Sequence, residues 1–148
     1  MNKITWRRPG RSSAGFTLIE MMITVVVVAI LAAIALPSYT SYIKRSNARA
    51  AGADLMALST ALENVFQRTL NYPDAETDTT DETQDKVTGW SPAQGANFDF
   101  TMDSDSASSK YTLTAAGKGT MEGCDLTLNE KGERNDPDSD ACGGLVKW

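Results

Sequence analysis

Gly15-Phe16-Thr17-Leu18-Ile19-Glu20, followed by the apolar run Met21 to Leu36, is the stretch whose reading decides the fold. From Phe16 to Leu36 there are 21 residues, which as a helix would reach roughly 31 Å at about 1.5 Å rise per residue, the thickness of a bilayer's hydrocarbon core. Glu20 is the one charge in that span. An ionised carboxylate taken into hydrocarbon is costly unless a counter-charge meets it, so Glu20 is a candidate functional residue. A carboxylate lying just outside the membrane is the plainer alternative.

Upstream stand Lys3, Arg7, Arg8 and Arg11 with no acid, then Ser12, Ser13, Ala14 and Gly15 immediately before Phe16. A basic start and small residues before an apolar run read as a targeting leader. The basic flank places residues 1–15 in the cytoplasm and everything after Leu36 outside. A secretory signal is the rival, since Ala33-Ile34-Ala35 fits small-x-small cleavage and would release a chain beginning at Leu36. Glu20 at the start of that signal's apolar region, and the length of the region, weigh against it. Arg7-Arg8 as a twin-arginine signal is weak, because Pro9-Gly10-Arg11 stands where apolar residues belong.

Pro37 lacks an amide hydrogen and clashes with the preceding turn, so a kink or interruption is expected there. Beyond it, Leu55, Leu58, Leu62, Val65, Phe66 and then Thr69 or Leu70 recur at three- and four-residue spacing, opposite Asp54, Glu63 and Gln67. Gly52 is a tolerable weak point, and Asn71-Tyr72-Pro73 a stop. The long helix is placed at Phe16 to Leu70. Tyr39 and Tyr42 suit a membrane–water boundary. Lys44, Arg45 and Arg49 read equally as contacts to lipid phosphates or neighbouring subunits and as a solvated basic face.

Residues 74–97 are polar, with Gly89, Pro92 and Gly95 among them, and are expected to form a loop anchored by Trp90. Two-residue alternation then marks three strands: Phe98, Phe100 and Met102; Tyr111, Leu113 and Ala115; Leu126 and Leu128. The expected fold is therefore α+β, a long amino-terminal helix whose outer half packs on a small antiparallel sheet. Three segments follow: a leader over 1–15, a membrane and assembly half of the helix over 16–36, and a head over 37–148. Cys124 and Cys142 are the only cysteines, both on the exported side, which favours a disulfide over two free thiols. Closing that loop should contribute roughly 3 kcal/mol in the chain-entropy model.

Charge and composition narrow the function classes. The chain carries −5, and loss of Lys3, Arg7, Arg8 and Arg11 with the leader takes it to −9. Six acids and no base fall between Asp74 and Asp85, which argues against a nonspecific nucleic-acid surface there. Lys110, Lys118 and Lys131 offer contacts to phosphate, with ordinary solvated charge as the simpler reading. Asp136, Asp138 and Asp140 alternate as in a calcium loop, but Ala141 and Lys147 stand where an EF-hand needs Gly and Glu. A solvated acidic turn is favoured, and no metal ligand or cofactor is assigned. The chain has no His, the cysteines are too far apart for C-x-x-C, and no glycine loop has phosphate-cradling spacing. No catalytic constellation emerges.

Gly15-Phe16-Thr17-Leu18-Ile19-Glu20 with its apolar helix resembles the amino terminus of type IV pilins and pseudopilins. The resemblance implies cleavage by a prepilin peptidase between Gly15 and Phe16, N-methylation of Phe16, and retention of the apolar segment. It further implies that Glu20 pairs with the amino terminus of an adjoining subunit and so sets register in the filament. Pro37-Ser38-Tyr39, Tyr42 and Arg45-Ser46-Asn47, with Cys124-Asp125-Leu126-Thr127-Leu128 and Gly132-Glu133-Arg134, are similar to PilE-type minor pilins of the type IVa system. Cys124 and Cys142 match the family's carboxy-terminal disulfide loop. The expected role is a structural subunit, stored in the inner membrane and then assembled into an extracellular pilus that supports adhesion or twitching motility. Implied partners are major and minor pilins, the prepilin peptidase and the inner-membrane assembly platform. A type II secretion pseudopilin, or a pilin specialised for DNA uptake or adhesion, are the rivals.

Overall fold

The computed structural model describes residues 15–148. The leader bases fall outside the described residues. The chain divides at the Leu36–Pro37 bond into two compact units. α1 spans Leu18–Thr69, close to the expected Phe16 to Leu70. Its part up to Leu36 is exposed throughout, and α1 is the one helix among the described residues that is long and apolar enough to cross a membrane. Helical structure continues through Pro37. Because proline has no amide hydrogen, the helix forfeits one backbone bond there. The Thr40 hydroxyl donates to the Pro37 carbonyl at 2.8 Å.

In the second unit, α1 buries Ala48, Ala51, Leu55, Leu58 and Leu62, a face with alternating three- and four-residue steps. Val65 and Phe66, placed on the same stripe by sequence, are half-buried at its end, whereas Thr69 and Leu70, its expected continuation, are exposed where the helix runs out. α1 ends on Leu70, whose φ of 59° is the left-handed terminator that glycine usually supplies.

The sheet is an antiparallel meander of four strands: β1 (Ala75–Glu76), β2 (Phe98–Asp105), β3 (Lys110–Gly117) and β4 (Leu126–Asn129). The three strands expected from alternation are β2, β3 and β4. Phe98, Phe100 and Met102 of β2 share the buried side with Leu113 and Ala115 of β3 and with Leu126 and Leu128 of β4. Register sets large against small, Phe100 opposite Ala115 and Phe98 opposite Gly117.

Residues 74–97 are not a plain loop. β1 pairs with β2 through Ala75 opposite Ser104, and a second helix, α2, spans Thr80–Lys86. Thr79 caps α2, its hydroxyl accepting the Glu82 amide at 3.3 Å, while the Glu82 carboxylate accepts the Asp78 amide at 2.8 Å. This T-x-x-E box satisfies amides that a helix start leaves bare. Two buried threonines fix α2 on β2. Thr77 and Thr83 share a hydroxyl–hydroxyl bond at 2.7 Å, Thr83 donates to the Phe100 carbonyl, and Thr77 accepts the Met102 amide, each at 2.8 Å. Trp90 is buried as expected and donates its indole N–H to the Asp54 carbonyl at 3.1 Å.

The Cys124–Cys142 disulfide closes the carboxy-terminal loop with Cα atoms 4.9 Å apart. Behind it, Gly143 lies on α1 so closely that a Cβ there would collide with the Ser41 carbonyl oxygen. Trp148 packs on Gly52, where a Cβ would meet the indole at 2.5 Å. A residue that weakens the helix by intrinsic propensity is thus the one that lets the strap after Cys142 pack on it.

Candidate assembly and processing site

Gly15, Phe16 and Thr17 are non-helical, and Phe16 is exposed, so the bond between Gly15 and Phe16 lies in irregular chain before the first helical turn. Thr17 and Glu20 close a reciprocal box: the Glu20 amide donates to the Thr17 hydroxyl at 3.2 Å and the Thr17 amide to the Glu20 carboxylate at 3.4 Å. Glu20 thereby has a local function in the lone subunit, capping amides at the positive end of the helix dipole. By sequence, Glu20 is either a charge in need of a partner or a carboxylate lying just outside the membrane. The T-x-x-E spacing from Thr17 was the signal for this second role.

Several head residues differ from their expected settings. Asp54 and Glu63, placed opposite the apolar stripe, are drawn into the structure, whereas Gln67 is exposed. The Asp54 carboxylate accepts the Gln94 amide at 2.8 Å. Glu63 accepts hydroxyl protons from Tyr72 at 2.7 Å and Tyr111 at 3.3 Å, and Tyr111 also shares a bond with the Ser59 hydroxyl at 2.8 Å. These partners lie on separate elements, so the network ties the end of α1 to β3. Lys118 is not a loose surface cation: it pairs with Asp99 at 2.8 Å and donates to the Gly95 carbonyl at 3.1 Å. Lys110 and Lys131 are exposed beside Asp103, Asp105 and Glu130, a hollow of mixed charge.

In the acidic turn, the Asp138 carboxylate accepts the amides of Asp140 and Ala141, at 2.8 and 3.1 Å. Among the described residues no three acidic or thiol side chains come together as a metal site. The guanidinium of Arg134 stacks 4.9 Å from the Trp148 ring centroid, and Trp148 donates to the Asn135 side chain at 3.2 Å.

The tyrosine network carries a pH dependence. Burial first, then the hydrogen bond to Glu63 and its negative charge, raise the Tyr72 hydroxyl far above its ordinary 10.0. Burial likewise raises Tyr111. An unfolded tyrosine loses its proton near pH 10 while the folded one keeps it, so above that pH the unfolded state binds fewer protons and stability falls as pH rises. Tyr72→Phe is expected to flatten the decline in denaturation midpoint between pH 9.5 and 11. An unchanged slope would remove Tyr72 from the account.

A processing motif leading into a long apolar helix, whose outer half carries a disulfide-closed antiparallel sheet, defines the type IV pilin class of subunit. The model for a prokaryotic N-terminal methylation motif matches residues 10–36. The chain belongs to the family described as type IV minor pilin ComP, DNA uptake sequence receptor, whose model matches residues 37–145. Three relatives illustrate the likeness. A fimbrial protein of Pseudomonas aeruginosa is 46% identical over 56 residues, covering 38% of this chain and 36% of that protein. The type IV major pilin protein PilA of Myxococcus xanthus (strain DK1622) is 45% identical over 60 residues, 40% of this chain and 27% of that one. The type IV major alpha-pilin of Moraxella bovis is 49% identical over 49 residues, 33% and 31% of the two chains. The chain thus spans about a third of the length of the relatives it matches. The family is one of structural pilus subunits rather than enzymes.

Proposed function

We propose that this chain is a minor type IV pilin, made as a precursor, cut between Gly15 and Phe16, N-methylated on Phe16, stored in the inner membrane and assembled through α1 into an extracellular pilus. The observation that carries the reading is the joining of two matches in one chain, the methylation motif over 10–36 and a minor-pilin family over 37–145. In this reading Glu20 meets the amino terminus of an adjoining subunit, and the hydrogen bond missing at Pro37 lets the helix bend on leaving lipid. The proposed partners are the peptidase, major and minor pilins and the assembly platform. Intact mass and amino-terminal sequence of the protein from a piliated host, with and without the peptidase, test it. A chain beginning at N-methylated Phe16 is the expected result. A start at Leu36 would mean a secreted head and would end the assembly mechanism.

A second, more specific reading follows from the family's own description: the head receives DNA at the filament surface. Its charge sets the physics. From Pro37 onward there are ten bases against eighteen acids, so a broad electrostatic footprint is not available and affinity would rest on a few phosphates plus base contacts. The salt dependence of duplex binding by the detergent-solubilised full chain should then correspond to about two or three phosphates, well below the six to ten of a strongly electrostatic binder. Absence of any duplex binding at low salt would remove this reading and leave the pilin reading standing.

A further inference from the structure

From Pro37 onward the chain carries three methionines, Met56, Met102 and Met121. Met102 and Met121 are closed to solvent, at 1% and 0% exposure, whereas Met56 is 48% exposed on α1. The Met56 thioether has a charged neighbour. Arg134 Nη2 donates to Met56 Sδ at 3.4 Å, and Nη1 of the same guanidinium donates to the main-chain oxygen of Trp148. That guanidinium also lies over the Trp148 ring. Gly52 and Met56 are four residues apart and so adjoin on one face of α1, with Trp148 packed on the first and Arg134 on the second. The indole is held as well by Asn135, whose side-chain oxygen accepts the indole N–H at 3.2 Å and the Thr127 amide at 2.8 Å. One exposed sulfur thus ends a line of contacts that runs from α1 through Arg134 and Trp148 to β4.

A thioether is a weak acceptor with two lone pairs, and a guanidinium is a permanently charged donor. Arg134 takes up one lone pair of Met56 and leaves the other. We propose that Met56 is a reversible oxidation site, at which a hydroperoxide delivers oxygen to the lone pair that Arg134 leaves free, and that the sulfoxide displaces Arg134 from Trp148 and loosens the strap on Gly52. In that step an S–O bond forms as the peroxide O–O bond breaks, sulfur gives up two electrons, and hydrogen peroxide leaves as water. A dithiol reverses it: the oxygen leaves as water while the two thiols become a disulfide. The sulfoxide is polar and chiral, and its oxygen accepts from a guanidinium more strongly than the sulfur did. A nitrogen 3.4 Å from the sulfur leaves no room for an oxygen between them. Turning that oxygen toward Arg134 therefore pushes the fork outward, at the expense of its bond to Trp148 and its stack on the ring. Attack on one lone pair also favours one sulfoxide epimer, a preference that an exposed methionine with no donor on its sulfur lacks. The site belongs to the head in any aqueous phase and does not depend on the pilus reading.

The test exposes the detergent-solubilised full chain to hydrogen peroxide and follows its tryptic peptides by mass. Met56 is the sole methionine of the peptide 50–68, and Met102 and Met121 fall in two others. The first peptide should gain one oxygen at least about tenfold faster than the other two, whose sulfurs the core shields. Treatment with each of the two epimer-specific methionine sulfoxide reductases should reveal an excess of one epimer of about fivefold, the effect of one hydrogen bond. Arg134→Gln should level the epimers. Oxidation should lower the unfolding midpoint by about 4 °C, and the matching reductase with a dithiol should restore it. Met56→Leu, which keeps the volume and removes the sulfur, should make the midpoint indifferent to peroxide. That variant leaves Arg134 in place, so it decides even if Arg134→Gln loosens the strap by itself. Oxidation of Met56 no faster than that of the buried pair overturns the site. Equal epimers in the parent, or an excess that persists in Arg134→Gln, overturns the part given to Arg134. A fall in midpoint that persists in Met56→Leu places the lesion elsewhere and overturns the loosening of the strap.

Discussion

Glu20→Gln subunits are expected to remain in the membrane at parental level yet to fall in sheared filaments by more than about a hundredfold. The magnitude follows from the proposed pairing: removing one member of a buried ion pair strands the other, at about 3–5 kcal/mol. The choice of glutamine is dictated by the box with Thr17. Glu20 accepts the Thr17 amide and donates its own amide to the Thr17 hydroxyl, and glutamine serves in such a box as well as glutamate does. Glu20→Ala would remove both the cap and the charge and would confound them. If Glu20→Gln assembles normally while Glu20→Ala does not, the residue acts as a helix cap, and the register-setting charge is wrong. Quantitative blotting of sheared filaments against whole membranes reads both variants.

The Cys124→Ala/Cys142→Ala head is expected to lose about 3 kcal/mol, the chain-entropy value for a loop of this length, with an unfolding midpoint lower by on the order of 15 °C. Cys142 anchors more than its own loop. The next residue, Gly143, packs on the α1 backbone beside Ser41 and Arg45, and Trp148 closes on Gly52. Release of the bridge should therefore loosen the strap first. Thermal unfolding of the oxidised parent, the reduced parent and the double variant is the check. A midpoint shift of only a few degrees would show that packing on α1, with Arg45 donating to Gly143, holds the strap without the covalent link.

The long helix and the main strands were legible because their signals are periodic. Leu55, Leu58 and Leu62 repeat with the helical turn, and Phe98, Phe100 and Met102 repeat with the pleat. β1 has two residues and cannot show a period; it exists because Ala75 and Glu76 find Ser104 and Asp103 across the sheet. α2 reads Thr-Asp-Glu-Thr-Gln-Asp-Lys, a helix with no apolar stripe. Its one local signal is the T-x-x-E box at Thr79, which a polar composition typical of loops masks.

The sequence by itself determined the amino-terminal motif, the apolar span, the helical stripe, the alternating strands and the two cysteines, since each depends on neighbours within a turn, a pleat or a residue count. Tertiary structure alone decided the polar organisation. Asp54 meets Trp90 and Gln94, Glu63 meets Tyr111, Lys118 meets Asp99, and Trp148 covers Gly52. Burial of an apolar face is non-directional and needs only a repeat, whereas a hydrogen bond or ion pair needs one donor and one acceptor within about 3 Å. Between residues far apart in the chain, only the completed packing of helix on sheet supplies that distance.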